Sequence, residues 1–174
     1  MTNSSGSLLD GVTLRIRLEE QGPLSLEEAS VMVDQIAHIV DTAPQRGLPY
    51  GTISPETVVL LKDGSVRLVP LHLAQTWGEQ ATRRYLSPEE TRQEPPSPTT
   101  DIWALGALLY EALSKCAPFP DAPPAILAQQ VQHEEPEPLP LVVACAQPVV
   151  DRALAKRAED RFHSGQERTL PTCS

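Results

Sequence analysis

The sequence predicts a mainly α-helical domain with one small β-hairpin. Residues 26–43 carry apolar side chains at helical spacing. The stretch IWALGALLYEALSK, which follows Asp101, is apolar on nearly every side and is therefore typical of a central, buried helix. Asp63 and Gly64 separate two short apolar runs, a pattern that indicates a tight hairpin turn.

The amino-terminal elements have clear signals for their ends. Residues 11–18 alternate apolar and polar side chains, as in a strand, but the Glu-Glu-Gln-Gly that follows is typical of a helix end, so both alternatives stay open. Ser25 and Glu28 form a capping box that starts the next helix, and Pro44 ends it. The two predicted hairpin strands are Val58–Leu61 and Ser65–Val69.

The carboxyl-terminal half alternates proline-rich loops with helices. Residues 75–99 are predicted to form a loop with one helical turn near Glu89, and Thr99 or Thr100 is the expected N-cap of the central helix. The 18 prolines lie between helices, which disfavours the alternative of a proline-rich peptide ligand. Further helices are predicted around Ala125–Gln132, Val142–Arg157 with Pro148 as a break, and Ser164–Arg168.

Composition excludes several classes of function. A net charge of −9 argues against binding to nucleic acid or to an anionic membrane, since both require clustered basic residues. The three cysteines form no CxxC pair and have no histidine at ligand spacing, so neither a metal site nor a disulfide framework is expected. Reduced thiols suit a cytoplasmic protein.

Six segments follow one another in a recognisable order. They are GPLSLEEASVMVDQIAHIV, GLPYGTISPETVVL, DGSVRLVPLHLA, RYLSPEE, TDIWALGALLYEAL and LAKRAEDRF. In this order they resemble the pre-catalytic helix, catalytic loop, D-F-G strand, A-P-E motif, central helix and closing segment of a Ser/Thr protein kinase C-lobe. The similarity is greatest to bacterial kinases of the eukaryotic type. The resemblance implies a domain at 11–168, between flexible tails at 1–10 and 169–174.

The resemblance also implies that the side chains of phosphoryl transfer are replaced. Kinases use a catalytic Asp, a Lys, a metal-binding Asn and the D-F-G Asp. No Gly-rich loop or amino-terminal lobe is expected before residue 11. The resemblance thus implies a chain that is not an enzyme, takes no cofactor or metal, and does not bind ATP. The replacing residues are Thr52, Ser54 and Thr57 in the loop, and Pro70, Leu71 and His72 at D-F-G.

The positions that support the lobe are retained. Glu89 and Arg161 match the pair that ties the A-P-E segment to the end of the lobe, and Asp101 matches the aspartate that holds the catalytic-loop backbone. Trp103 and Gly106 match positions that pack the central helix.

Two functional hypotheses follow. The first is a degenerate pseudokinase C-lobe that acts as a scaffold or regulator in Ser/Thr kinase signalling. Its partner would be an active Ser/Thr kinase, a kinase substrate, a phosphopeptide-binding module or a second copy. The expected interface covers residues 11–24, 48–57 and 68–74, with the candidates Leu8, Leu9, Leu14, Leu48, Tyr50 and Leu71. The alternative is a nucleotide-binding or nucleotide-transfer enzyme in the relic cleft, which would need convergent acids such as Glu56 and Asp63.

Overall fold

The computed structural model describes residues 11–42, 50–69 and 83–167. Both predicted tails, 1–10 and 169–174, therefore lie outside the described residues. The same holds for six of the predicted site and interface residues: Leu8, Leu9, Leu48, Pro70, Leu71 and His72.

Both alternatives for residues 11–18 occur, one after the other. β1 (Gly11–Thr13) passes directly into α1 (Leu14–Gln21), because the Thr13 hydroxyl accepts a hydrogen bond from the Ile16 N–H and caps the helix. α2 (Leu26–Thr42) begins at the predicted capping box, in which the Ser25 and Glu28 side chains each accept from the other residue's backbone N–H.

The hairpin is part of a three-stranded antiparallel sheet. β2 (Val58–Leu61) and β3 (Val66–Leu68) pair across the predicted turn, and β1 pairs with the other edge of β2. The outer edge of β3 is closed by Gln35 of α2. Its side-chain amide accepts from the Val66 N–H at 2.9 Å and donates to the Gly64 carbonyl at 3.0 Å.

The central helix is buried as predicted. After the one-turn α3 (Pro88–Thr91), α4 (Pro98–Ser114) is buried continuously from Thr100 to Leu113. Its N-cap is Ser97 rather than Thr99 or Thr100. Pro98 explains the earlier start, since proline is well suited to the first helical position, where no partner exists for its missing N–H.

The carboxyl-terminal helices are shorter than predicted. α5 (Pro124–His133) agrees closely with its prediction, but the predicted helix at 142–157 is a 3-10 segment (Leu141–Ala146) followed by α6 (Gln147–Ala153). Pro148 lies in the first turn of α6 and therefore helps to start this helix instead of breaking it. Other 3-10 segments are Arg83–Tyr85, Ala158–Asp160 and Gly165–Glu167, the last replacing the helix predicted at 164–168. No helix in the described ranges has the length and apolar character needed to cross a bilayer.

The core confirms the predicted fold class. α4 packs against α2 and α6, and the sheet contacts α1 and α2. Trp103 is fully buried and stacks on Phe119, with ring centroids 6.1 Å apart. The Lys156 ammonium lies 5.3 Å from the Trp103 ring centroid and 4.8 Å from that of Phe119, so a cation covers this aromatic pair.

The cysteines depart from the expectation of reduced thiols. Cys116 is a free, exposed thiol, but Cys145 is disulfide-bonded. The argument from reduced thiols to a cytoplasmic location therefore does not apply to Cys145.

Gly106 lies on the face of α4 that packs tightly against α6. A Cβ atom at this position would lie 2.6 Å from the Cβ of Ala153, which is too close for two carbon atoms. We expect Gly106→Ala to destabilise the fold by about 1–2 kcal/mol, since overpacking outweighs the helix propensity gained. Urea unfolding of the two single variants and the double variant Gly106→Ala/Ala153→Gly measures the coupling. The double variant should be more stable than the sum of the single changes predicts, and strict additivity would contradict the packing argument.

Candidate functional site

The first turn of α4 anchors the start of the loop at 50–57. The Asp101 carboxylate accepts hydrogen bonds from the backbone N–H groups of Tyr50 at 2.6 Å and Gly51 at 3.4 Å. Gly51 has a φ of +120°, a conformation that favours glycine, so the backbone turns sharply at this anchor. The carboxylate thus fixes the direction in which the chain enters the loop.

The Thr57 hydroxyl closes the rest of the loop. The Thr57 Oγ1 accepts from the Ser54 N–H at 3.0 Å and lies 3.1 Å from the carbonyl oxygens of Thr52 and Ser54, to either of which it can donate. Ser54 and Thr57 are buried, whereas Thr52 is exposed. The Thr57 hydroxyl therefore serves the internal structure of the loop, whereas Tyr50 and Thr52 face solvent.

A small cavity of about 170 Å³ lies between this loop and the start of α4. Gly51, Thr52 and Tyr85 line it, together with the acidic residues Glu90 and Asp101. Burial raises the pKa of the Asp101 carboxyl to about 6, although the N–H groups of Tyr50 and Gly51 act in the opposite direction. The carboxyl that anchors the loop therefore titrates in a mildly acidic range.

The raised pKa of Asp101 predicts a specific pH dependence. Because the folded-state pKa lies above the unfolded value of 3.8, the folded protein holds this proton more tightly than the unfolded chain. The contribution of this tighter proton binding to stability is present below about pH 4 and is lost as the pH rises through about 6. The free energy of unfolding should therefore fall by about 2 kcal/mol between pH 4 and 6 in the unaltered protein, and Asp101→Asn should abolish this fall. Urea unfolding at a series of pH values measures it, and identical slopes for both proteins between pH 4 and 6 would contradict the assignment.

Glu89 and Arg161 form a buried bidentate pair. The Arg161 Nη1 and Nη2 atoms donate to the two carboxylate oxygens of Glu89 at 2.7 and 2.8 Å. The Thr100 hydroxyl donates to the same carboxylate, and Arg161 also donates to the carbonyl oxygens of Thr99 and Ala155. The guanidinium lies 5.1 Å from the Trp103 ring centroid. These contacts join α3, the start of α4 and the closing segment.

The electrostatics of this pair favour its ionised form. Burial alone would raise the pKa of the Glu89 carboxyl, but the hydrogen bonds from Arg161 and Thr100 and the Arg161 charge outweigh it and lower the pKa to about 2. The pair is therefore charged throughout the physiological range, and it acts as a fixed joint rather than a proton donor.

A second buried ionic cluster was not predicted from the sequence. Arg15 of α1 donates from Nε to Glu56 at 2.8 Å, from Nη1 to Glu111 at 2.6 Å and from Nη2 to the Tyr85 hydroxyl at 3.0 Å. Tyr85 in turn donates to Glu111. The backbone N–H of Arg15 also donates to the Pro55 carbonyl at 3.0 Å. The cluster therefore links α1, the loop, the Arg83–Tyr85 segment and α4.

Burial and the neighbouring charges both act on the pKa values of Tyr85 and Arg15 in this cluster. Burial raises the pKa of the Tyr85 hydroxyl, and the neighbouring Glu111 carboxylate raises it further. Burial would lower the pKa of the Arg15 guanidinium, but Glu111, Tyr85 and Glu56 together raise it. One sequence signal could have revealed the cluster. Glu111 lies in the last turn of a helix that is apolar on nearly every side, and a buried carboxylate requires a partner.

The predicted site and interface residues fall in different surroundings. Leu14 is 0% exposed and belongs to the core, so its prediction as an interface residue is wrong; its place in the first turn of α1 turns it inward. Tyr50 is 42% exposed and remains accessible. Glu56 faces Arg15 in the interior, whereas Asp63 accepts from Ser65 in the exposed hairpin turn, so these two acids do not converge.

The described residues contain no group of three or more His, Cys, Asp or Glu side chains that could hold a metal ion. The chemistry that the described loop offers is thus the hydrogen bonding of Thr52, the exposed Tyr50 ring and the cavity beside Asp101.

Comparison with known proteins identifies the family. The sequence model of the protein kinase domain matches residues 6–164. The serine/threonine-protein kinase PknB of Mycolicibacterium smegmatis is 28% identical, over 91% of this chain and 28% of its own length. PknB of Mycobacterium tuberculosis H37Rv gives the same values, and a probable serine/threonine-protein kinase of Corynebacterium efficiens is 27% identical over 90% of this chain. The chain spans less than a third of the length of these relatives.

These matches confirm one sequence-based prediction and correct another. The resemblance to bacterial Ser/Thr kinases is confirmed at the level of the family. The prediction that the chain is not an enzyme is contradicted, because the family model and the kinase relatives point to a protein kinase enzyme, at 28% identity. The error came from judging activity from single loop positions.

Proposed function

This chain belongs to the protein kinase family, and on that premise we propose that it binds a protein partner and acts as a scaffold or regulator in a Ser/Thr kinase signalling pathway. The proposed partner is a Ser/Thr kinase of the same cell, engaged through the face that carries Tyr50 and the loop at 50–57. A degenerate C-lobe and a cytoplasmic location belong to this proposal.

The observation that carries the proposal is the way in which the loop is built. Asp101 holds its entry, Thr57 closes its interior, and Arg15 and Glu56 tie its end to α1 and α4. The family's catalytic-loop positions therefore present a preformed surface with an exposed tyrosine. A rigid surface with an accessible aromatic ring is favourable for protein recognition, because little conformational entropy is lost on binding.

The first test is affinity capture with the full chain as bait. A Ser/Thr kinase should be enriched from extract of the source cells, identified by quantitative mass spectrometry, and shown by calorimetry to bind as a purified protein. We expect Tyr50→Glu to weaken this binding at least about tenfold, since it places a charge on the contact surface. Tyr50 is exposed and its backbone N–H remains available to Asp101, so the variant should stay folded.

Ile126→Glu is the matched control, because Ile126 is 49% exposed on α5 and lies outside the loop. It should bind as the unaltered chain does. Transfer of phosphate from ATP to a generic substrate is measured in parallel, for the chain alone and with its partner. A chain that phosphorylates the substrate alone and captures no kinase would overturn the proposal, as would binding that Tyr50→Glu leaves unchanged. If the bait captures only further copies of this chain, the proposed kinase partner is wrong and the chain forms a homodimer instead.

A further inference from the structure

The chain between α5 and the 3-10 segment Leu141–Ala146 is an extended arm, residues 134–140, which we call the proline arm. Every second residue in its second half is a proline, at positions 136, 138 and 140. A proline fixes its own φ at about −65° and restricts the residue before it to extended backbone. The two ends of the arm, Glu134 and Pro140, have ψ angles of 146° and 143°. The sequence of the arm therefore holds it in an extended conformation.

Both ends of the proline arm are fixed to the domain. The Lys156 ammonium donates to the carbonyl oxygen of Val131 at 3.0 Å and to that of Glu134. At the other end, the Leu139 side chain is buried in the core, and its backbone N–H donates to the Gln147 Oε1 atom at 2.7 Å. The arm is therefore presented in a fixed position, and little conformational entropy is lost when a partner binds it.

The proline arm shows acidic side chains, proline rings and an apolar tip to solvent. The tip consists of Leu141 and Val142, which are 96% and 82% exposed, the highest values among the large hydrophobic residues of the described ranges. Exposed apolar residues that occur singly are ordinary, whereas neighbouring ones beside polar groups favour an interaction surface. The exposed residues of the arm itself are Glu134, Glu135, Glu137, Pro138 and Pro140.

The charge around the arm is negative. Residues 134–142 contain three glutamates and no lysine or arginine, in a chain whose net charge is −9. The cation beside the first two glutamates is Lys156, but its ammonium lies over the Trp103 and Phe119 rings and donates to backbone carbonyls. A partner that complements the arm therefore carries lysine or arginine.

We propose that the proline arm and its tip are a docking site for a partner protein whose groove combines aromatic side chains with lysine or arginine. The proline rings pack against the aromatic side chains, as in the recognition of other extended proline-rich segments. Leu141 enters an apolar pocket, and the basic side chains pair with Glu135 and Glu137. Prolines between helices were not expected to form such a ligand, but this arm is exposed and extended between its helices.

The site uses neither the loop at 50–57 nor the exposed side of α5. It therefore goes beyond the proposed function, and it would hold whether or not the loop face binds a kinase.

Photo-cross-linking in the source cells tests for the partner with the full chain. The amino acid p-benzoylphenylalanine replaces Leu141 or, as the matched control, Ile126 of α5, which is 49% exposed. We expect one protein to be cross-linked from position 141 and not from position 126. This protein is identified by mass spectrometry and purified, and its affinity for the unaltered chain is measured by calorimetry.

The measured affinity should fall as salt rises, because acidic and basic side chains pair across the interface. Leu141→Glu should weaken binding about tenfold or more, since a charge enters the apolar pocket. Glu137→Gln should weaken it about two- to fivefold, as the loss of a partly exposed ion pair does. Ile126→Glu should bind unchanged, and thermal unfolding verifies that each variant is folded.

A synthetic peptide with the sequence of residues 134–143 should compete for the partner, because the arm needs no helix or strand to be extended. The same peptide with alanine at its three proline positions should compete less well. Four results would overturn the proposal: no cross-link specific to position 141, a cross-link only to a second copy of this acidic chain, binding that Leu141→Glu or salt leaves unchanged, or a proline peptide that does not compete.

Discussion

Replacing Arg161 with leucine is expected to lower the free energy of unfolding by about 3–5 kcal/mol. The change leaves the Glu89 carboxylate buried without its cation, and it also removes the donors to the Thr99 and Ala155 carbonyls. The cost of such a change is mainly the desolvation of the charge left behind. Urea unfolding followed by circular dichroism measures it.

The pair also predicts how this stability depends on pH. The folded-state pKa of Glu89, about 2, lies below the unfolded value of 4.5. Its contribution is therefore fully present above about pH 4.5 and is lost as the pH falls through about 2. In Arg161→Leu this part of the acid profile should disappear, because the cation that lowers the pKa is gone.

Two further variants separate the buried pair from ordinary surface charge. The double variant Glu89→Leu/Arg161→Leu removes both charges and should recover much of the stability lost in the single variant. Arg157→Leu breaks an exposed pair with Glu159 only four residues from Arg161 and should cause no measurable change. Equal losses for Arg157→Leu and Arg161→Leu would contradict the importance of burial.

Replacing Arg15 with leucine is also expected to lower the free energy of unfolding by about 3–5 kcal/mol. Arg15 supplies the charge that faces two buried carboxylates, Glu56 and Glu111, and the change leaves both of them without this cation. Calorimetric unfolding of the variant and of the unaltered chain at pH 7 measures this loss.

The neighbouring Arg17 provides the matched control for this change. It lies on the same helix, and its partner Glu28 is about half exposed. Arg17→Leu should alter stability by less than about 1 kcal/mol. If Arg15→Leu and Arg17→Leu lower the free energy of unfolding by similar amounts, the Arg15 cluster does not stabilise the fold as a buried ionic cluster.

The fold was largely predictable from local signals. The capping box of Ser25 and Glu28, the turn at Asp63 and Gly64 and the apolar helix after Asp101 each fix an element by interactions within a few residues. β1 stayed open between strand and helix because three residues carry too little periodicity, and its pairing with β2 joins positions far apart in sequence. Pro98 and Pro148 were read as loop or break signals, although both stand at helix starts.

The site was less predictable because its contacts are long-range. The family pattern placed Glu89 against Arg161 and Asp101 beneath the loop, and the structure shows these contacts. No local pattern could bring Arg15 to Glu56 and Glu111, which are 41 and 96 residues away along the chain. Nor could hydrophobicity alone separate Leu14, which is buried, from an exposed interface residue.

The two hydrogen bonds that the Gln35 side-chain amide makes with the β2–β3 hairpin have a consequence for self-association. Exposed strand edges offer unpaired N–H and C=O groups to which a strand from another molecule can add, and this is a common route to aggregation. By bonding the Val66 N–H and the Gly64 carbonyl, Gln35 occupies the positions that an incoming strand would use at this end of β3. A helix side chain thus hinders the addition of a strand at this end of the sheet edge.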